Sequence, residues 1–301
     1  MTNDVIAVLM PGDMGHATGR VLAARGHQVI TCLDGRSERT VALAGAAGLQ
    51  DAGSLDAVVE NASLILSILP PAAALGQAGD VAGAIGRTGG RTGKPPVYVD
   101  CNAVSPGTAK AIAGVIGAAG ASFIDAGIIG TKPDGIGPGP RFYVSGADTS
   151  PMEALDGKGF QVKPLGPEPG RASAIKMCYA GLTKGTWTLQ TSVMLAAEAQ
   201  GLTAELLDEF EYSQGQALAQ MEAMIPRIPV DSERWIGEME EIAKTFSDAG
   251  VTPGFHEGAA AIFRVLAQTP YAAETRETMD QTRTLEETVR TAAGLLPKSP
   301  S

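Results

Sequence analysis

The chain has 301 residues, 44% of them hydrophobic and 19% charged, and its 33 acidic against 23 basic side chains give a formal net charge of −10. This length accommodates two domains, and the composition is that of a globular protein. An acidic chain with no basic stripe argues against nucleic acid or an anionic membrane surface as partner, so an anionic ligand must be held by local groups.

In chain order, VIAVLM (5–10) is the first predicted strand, with a helix expected from about Gly12 to Arg25. HQVITCL (27–33), ASLILSIL (62–69), PPVYVD (95–100) and ASFIDA (121–126) continue the strands, and RFYVSG (141–146) is expected as an edge. These runs are continuously apolar, the pattern of strands covered on both faces. Strands alternating with helices argue a parallel, doubly wound sheet, an α/β domain of Rossmann type. From about Arg171 no strand pattern remains. Residues 172–202 read as one long helix ending at Gly201, followed by helices over 203–224, 232–248, 254–267 and 274–294. The expected organisation is a dinucleotide-binding domain over 1–165 and an all-α domain over 166–301, divided in the Gly/Pro-rich stretch 164–170.

The scattered cysteines Cys32, Cys101 and Cys178 form neither a disulfide framework nor a zinc motif, and are read as small buried thiols; no metal site is expected. No apolar run approaches the roughly 20 residues that span a bilayer. The opening MTNDVIAVLM has no basic segment before its apolar run, so no signal peptide is expected and the expected compartment is the cytoplasm.

The segment VLMPGDMGHATG (8–19) joins the first strand to its helix. In a dinucleotide-binding turn one glycine permits the tight turn, a second lets the backbone approach the pyrophosphate, and a third lets helix and strand pack closely. Gly12 and Gly15 have the spacing of the second and third. Gly19 adds a small residue on the same helix face. Met10 stands at the first position, where its side chain calls for negative φ, and Pro11 stiffens the turn. Pro11, Gly12, Asp13, Met14 and Gly15 would then meet the cofactor at the helix N-terminus, with Asp13 turned to solvent or serving the helix end. An ordinary glycine-containing β–α turn is the alternative. The end of the second strand carries Asp34-Gly35-Arg36-Ser37, about 20 residues on. Asp34 suits the ribose hydroxyls of NAD, and Arg36 with Ser37 suits the 2′-phosphate of NADP. Both cofactors stay open, with a slight lean to NADP, beside the reading of a plain polar turn.

At this point the sequence resembles the β-hydroxyacid dehydrogenase superfamily, which includes 6-phosphogluconate dehydrogenase, 3-hydroxyisobutyrate dehydrogenase and the imine reductases. The resemblance rests on LMPGDMGHATGRVLAARGH (9–27), LILSILPP (64–71), YVDCNAVSP (98–106), FIDAGIIG (123–130) and GRASAIKMCYAG (170–181). The helical half is similar to a branch with a C-terminal domain of unknown function, through KMCYAGLTKG (176–185), IPRIPVDSERWIGEMEEIA (225–243) and GFHEGAAAIF (254–263).

The resemblance implies roles for particular residues. Lys176 falls on the family's catalytic lysine, whose ordinary pKa near 10.4 must be lowered for acid/base work near neutrality. Tyr179 replaces the family's asparagine three residues on. Leu69 and Pro70 would pass the nicotinamide, and Asn102, with Ser105 nearby, its ribose; helix capping by Ser105 is compatible. Gly127, Ile129, Gly130 and Thr131 fall on the substrate loop, where Ile129 replaces a carboxylate-binding serine and so favours a more apolar substrate. Lys184 lies about 12 Å along the helix from Lys176 and is a candidate anchor for a distal anionic group, beside a solvated role. His256 is a candidate for the substrate cleft, and Arg234, Trp235, Glu238 and Glu241 read better as part of a solvated helix.

The resulting expectation is an NAD(P)-dependent oxidoreductase that passes a hydride between a nicotinamide cofactor and a small hydroxy or carbonyl substrate, with Lys176 as acid/base. Imine or ketimine reduction, and dinucleotide binding without catalysis, are the alternatives. The apolar helix 172–200 calls for burial against a second subunit, so a homodimer through the helical domain is expected.

Overall fold

The computed structural model describes residues 4–297; residues 1–3 and 298–301, the outer ends of both expected domains and the start of the segment read for a signal peptide, lie outside the described residues. The first half is built from β1 (Val5–Leu9), α1 (Asp13–Ala24), β2 (Gln28–Thr31), α2 (Glu38–Ala46), β3 (Gln50–Asp51), α3 (Leu55–Asn61), β4 (Leu64–Ser67), α4 (Pro71–Thr88), β5 (Val97–Asp100), α5 (Pro106–Ala118), β6 (Phe123–Ile129), β7 (Arg141–Ser145), α6 (Ser150–Glu153) and β8 (Gln161–Pro164).

The described strands make one sheet of order β3-β2-β1-β4-β5-β6-β7-β8. The apolar runs are strands because both sheet faces are covered. On β1, Ile6 and Val8 enter one core with Val21 and Leu22 of α1, while Val5, Ala7 and Leu9 enter the other with Val58 of α3, Val81 of α4 and Ile112 of α5. This period of two is the pleat of a strand.

β1 to β6 run parallel, but β7 pairs antiparallel with β6 and parallel with β8. The run 141–146 is therefore not an edge: β7 lies between two strands, and β8 forms the edge. β8 escapes a sequence reading because only Val162 of its four residues is buried. The ASFIDA strand also runs further than expected, to Ile129.

The rest is helical: α7 (Arg171–Ala199), α8 (Thr203–Ser213), α9 (Gly215–Met224), α10 (Pro229–Asp248), α11 (Gly254–Ala267) and α12 (Leu285–Ala293). Two expected helices are revised. The span 203–224 breaks at Gln214, whose φ of −141° leaves the helical range ahead of Gly215. The span 274–294 is helical only from Leu285 on. Thr278 Oγ1 accepts from the Thr275 amide and Asp280 Oδ1 from the Thr282 amide, so short side chains hold the backbone in turns that compete with a helix.

The expected division at 165/166 falls where the sheet ends. By compactness the chain forms two units, one up to Tyr179 and one from Ala180, and α7 runs through the division. Among the described residues no helix is long and apolar enough to cross a membrane.

Candidate functional site

The turn after β1 keeps the shape of a dinucleotide turn by an unexpected route. Met10 has φ of +53°, the left-handed region, where a negative φ was expected of a residue with a side chain. The methionine adopts the backbone that a glycine would take at this position. The Gly12 amide then donates to the Met10 carbonyl at 2.7 Å, closing a three-residue turn centred on Pro11, whose ring-fixed φ suits it. α1 starts at Asp13 with no side-chain cap on Gly12.

The three glycines divide their work. A Cβ on Gly12 would meet nothing nearer than the Met10 carbonyl at 3.9 Å, so open space lies over it. At Gly15 it would meet that carbonyl at 3.3 Å and Val8 at 3.4 Å, and at Gly19 it would stand 2.9 Å from Leu49. Gly15 and Gly19 are therefore packing glycines. His16 was not foreseen here: its Nδ1 lies 2.7 Å from the Gly12 carbonyl, an acceptor, so Nδ1 carries the proton and ties down the first turn. Asp13 is neither turned freely to solvent nor left opposite a phosphate, because Arg39 of α2 pairs with it at 2.7 Å.

After β2, the Arg36 amide donates to the Leu33 carbonyl around Gly35, which has φ of +67°. Asp34 and Ser37 are exposed and Arg36 is half-buried. Ser37 caps α2 by accepting from the Thr40 amide. A cavity of about 480 Å³ opens at the carboxyl ends of β1 and β2, lined by Leu9, Met10, Asp34, Arg36, Asp80 and Arg87 among others. Asp80 and Arg87 were missed by sequence reading, since an exposed helix charge gives no sign of the wall it forms. Arg87 grips Asp56 through Nε and Nη2 and holds that carboxyl below its usual range.

The β4–α4 turn carries Leu69 and Pro70. Its backbone is fixed by Asn102: Oδ1 accepts from the Leu69 amide at 2.7 Å, and Nδ2 donates to Ser67 Oγ and to the Asp100 carboxylate. Asn102 is buried and its side chain is engaged by these three partners, so it positions the turn. Ser105 caps α5 ahead of Pro106.

The most elaborate local structure joins β6 to the start of α7. Asp125 is fully buried. Its Oδ2 accepts from the Gly170 amide at 2.8 Å, the Ser173 amide at 3.0 Å and Ser145 Oγ at 3.0 Å, and its Oδ1 accepts from Ser173 Oγ at 2.6 Å. A carboxylate at a helix N-terminus is held by amides and by the helix dipole. Two residues along the strand, a Cβ on Gly127 would stand 2.5 Å from the Ala172 carbonyl and 2.8 Å from Lys176 Cβ. Gly127 is thus a seat for α7, and the half-buried Lys176 stands over it. Ile129, on the same face of the strand by the pleat, is buried; Gly130 (φ +124°) and Thr131 follow in the exposed loop. Tyr179 is 49% exposed. Cys178 is exposed too and Cys32 partly so, leaving Cys101 alone as a buried thiol.

In the second unit Lys184 is 8% exposed and pairs with Glu238 at 2.6 Å, with its ammonium 5.4 Å from the Trp235 ring. A solvated role for Lys184 and for Glu238 is therefore overturned, and the lysine already holds an internal anion. His256 is buried edge-on to Phe246, with centroids 4.2 Å apart. Its ring also lies against α7, where a Cβ on Gly181 would stand 3.2 Å from Cε1. Its Nδ1 has no hydrogen-bond partner, and burial lowers its pKa.

The first unit fits a dinucleotide. Gly12 leaves room for close approach, α1 begins without a side-chain cap, and the adjoining cavity carries polar groups suited to a ribose.

Comparisons with known proteins agree. Residues 5–155 match the family model of the NAD binding domain of 6-phosphogluconate dehydrogenase, and residues 197–266 match a domain of unknown function, DUF1932. An uncharacterised 28.5 kDa protein of Methanothermus fervidus is 28% identical over 227 residues, 75% of this chain and 84% of that protein. A conserved protein of unknown function, described as structurally similar to 3-hydroxyacid dehydrogenases, is 27% identical with a TM-score of 0.61, covering 87% of this chain and 96% of that one. The 3-hydroxyisobutyrate dehydrogenase of Mycobacterium tuberculosis, solved with L-serine, shares the fold at 18% identity, with a TM-score of 0.63 over 96% of this chain and 98% of that one. With the glycine turn, the sheet order and the helical second half all in place, the chain belongs to the family of the NAD-binding domain of 6-phosphogluconate dehydrogenase, in the branch that carries DUF1932.

Proposed function

We propose that the protein is an NAD(P)-dependent oxidoreductase that interconverts a CH–OH and a C=O group of a small substrate, with Lys176 as acid/base. One observation carries this reading. Asp125 pairs in register with Asp100, the last residue of β5, and Gly127 lies two residues beyond that level. Lys176, seated on Gly127, therefore stands above the carboxyl ends of the parallel strands, the same edge on which the Gly12 turn opens. Ligands of open α/β sheets bind at that edge.

The cofactor, when bound, supplies the nicotinamide carbon that gives or takes the hydride. The chain's own residues do the rest. Gly12 and the first amides of α1 receive the pyrophosphate; Asp34, Arg36 and Ser37 meet the adenosine ribose; Leu69 and Pro70 flank the nicotinamide. Lys176 gives a proton to the carbonyl oxygen in reduction and takes the hydroxyl proton in oxidation, and Tyr179 offers its hydroxyl one helical turn on. Gly130 and Thr131 supply polar groups to the substrate, and an isoleucine at 129 favours a substrate with an apolar group over a bare carboxylate. The exposed apolar side chains Leu182 (75%), Leu189 (64%) and Val193, at helical spacing on α7, support a homodimer through this helix.

Cofactor oxidation or reduction, followed at the nicotinamide absorbance, tests the reading. The substrate panel is 3-hydroxyisobutyrate, L-serine and more apolar secondary alcohols with their ketones. Lys176→Ala should cost at least ~100-fold in kcat while cofactor affinity holds. Turnover that survives this substitution refutes the acid/base assignment. Arg36→Ala should weaken NADPH binding and spare NADH; equal loss of both removes Arg36 from the 2′-phosphate.

A further inference from the structure

We propose that Asp125 is the positioning residue for Lys176: it fixes the first turn of α7 on β6 and so sets where the lysine stands. The inference rests on the reading of Lys176 as acid/base, but its geometry is separate from that reading. Three observations converge.

First, four backbone N–H and side-chain O–H groups donate to the Asp125 carboxylate, and three of them belong to Gly170 and Ser173 at the entry to α7. A buried carboxylate is costly to leave unsatisfied, so these bonds act as one unit and the helix start cannot slide without breaking several together. Second, Ser145 of β7 ties the same point from another side. Its Oγ donates to Asp125 and accepts from the Ala172 amide at 3.1 Å, so two adjacent strands grip one helical turn. Third, Gly127 allows no side chain between strand and helix. A Cβ there would overlap the Ala172 carbonyl and Lys176 Cβ, so helix and strand touch backbone to backbone.

Ser173 and Lys176 are three residues apart, about 4.5 Å along the helix axis and on neighbouring faces. A point fixed at Ser173 therefore fixes the Cα–Cβ direction of Lys176. Nothing in this arrangement requires Asp125 to touch substrate or cofactor. Its role runs through the helix.

The test reads Lys176 directly, in the full-length protein, without depending on a known substrate. Purified protein is treated briefly with acetic anhydride, and acylation of Lys176 is measured by peptide mass spectrometry relative to the exposed Lys94. Ser173→Ala removes one bond to Asp125 and leaves the carboxylate; Asp125→Asn removes the charge and keeps the shape. Each should change the Lys176 to Lys94 ratio at least threefold, Asp125→Asn more than Ser173→Ala. Where turnover is measurable, kcat should fall at least tenfold per cofactor-binding site, with KM within about twofold. If Asp125→Asn does not fold, Ser173→Ala decides alone. A ratio unchanged in Ser173→Ala, or in a folded Asp125→Asn, overturns the proposal. If the ratio responds while Lys176→Ala keeps full turnover, the positioning role stands and the acid/base reading falls.

Discussion

Met10 holds a left-handed backbone that costs a residue with a Cβ about 1–2 kcal/mol. The turn retains this conformation because the Gly12 amide bonds back to the Met10 carbonyl and Gly15 packs beneath it. Met10→Gly should relieve the strain, and the greater freedom of glycine in the unfolded chain offsets part of the gain. The expected net effect is a stabilisation of about 0.5–1 kcal/mol, seen as a higher Tm in thermal unfolding, with cofactor binding retained. An unchanged or lower Tm would show that the methionine side chain, which lines the cavity, contributes more than its strain costs. At this scale the sequence was informative about spacing and silent about conformation. Gly12, Gly15 and Gly19 were legible as a set, but nothing in the letter M announces a positive φ. Asn102 was legible as a polar residue at a strand end. That its amide is committed to Leu69 and Ser67 as well as to the nearby Asp100 depends on residues 33 and 35 positions away.

Helices and strands with strong apolar periodicity were readable, and those held by other means were not. β8 buries one residue of four, so its place in the sheet comes from pairing with β7 and not from its own pattern. The stretch 274–284 has helix-forming residues, yet Thr275, Thr278 and Asp280 direct their side chains to the backbone and end the helix before it starts. The Lys184–Glu238 pair shows the same limit from the other side: Glu238 read as solvated and Lys184 as a ligand anchor or a solvated lysine, and the packing of α10 onto α7 buries both. Removing one partner of a buried ion pair costs about 3–5 kcal/mol. Lys184→Met should therefore lower stability strongly in denaturant unfolding, and Lys184→Met with Glu238→Leu should recover much of the loss. A single variant as stable as the wild type would mean that water reaches Glu238.

Across the whole molecule, two histidines set a response to acid. Burial lowers the pKa of His27, aided by Lys158, whose Nζ lies 3.2 Å from its Nε2 and opposed by Asp4; burial alone lowers that of His256. Below the ordinary value near 6.5 the unfolded chain takes up protons that the folded chain resists, so stability is full above that value and falls as pH drops toward the folded values. The midpoint of thermal unfolding should decline between pH 7 and pH 5. His27→Gln combined with His256→Asn should flatten that decline; a decline of unaltered slope assigns it to other groups. The proposed homodimer has its own check, since Leu189→Glu on the exposed face of α7 should shift sedimentation to the monomer. The grip of Asp125 on α7 also bears on the order in which the chain can be completed. Its donors Gly170 and Ser173 leave the ribosome 45 and 48 residues after it. Until then the carboxylate on β6 has only Ser145 of the neighbouring strand, 20 residues on, among these donors. A chain cut after Leu165 would contain every strand of the sheet and still deprive that carboxylate of three of its four donors, so an autonomous piece of the first half should include the opening turns of the helix that leads out of it.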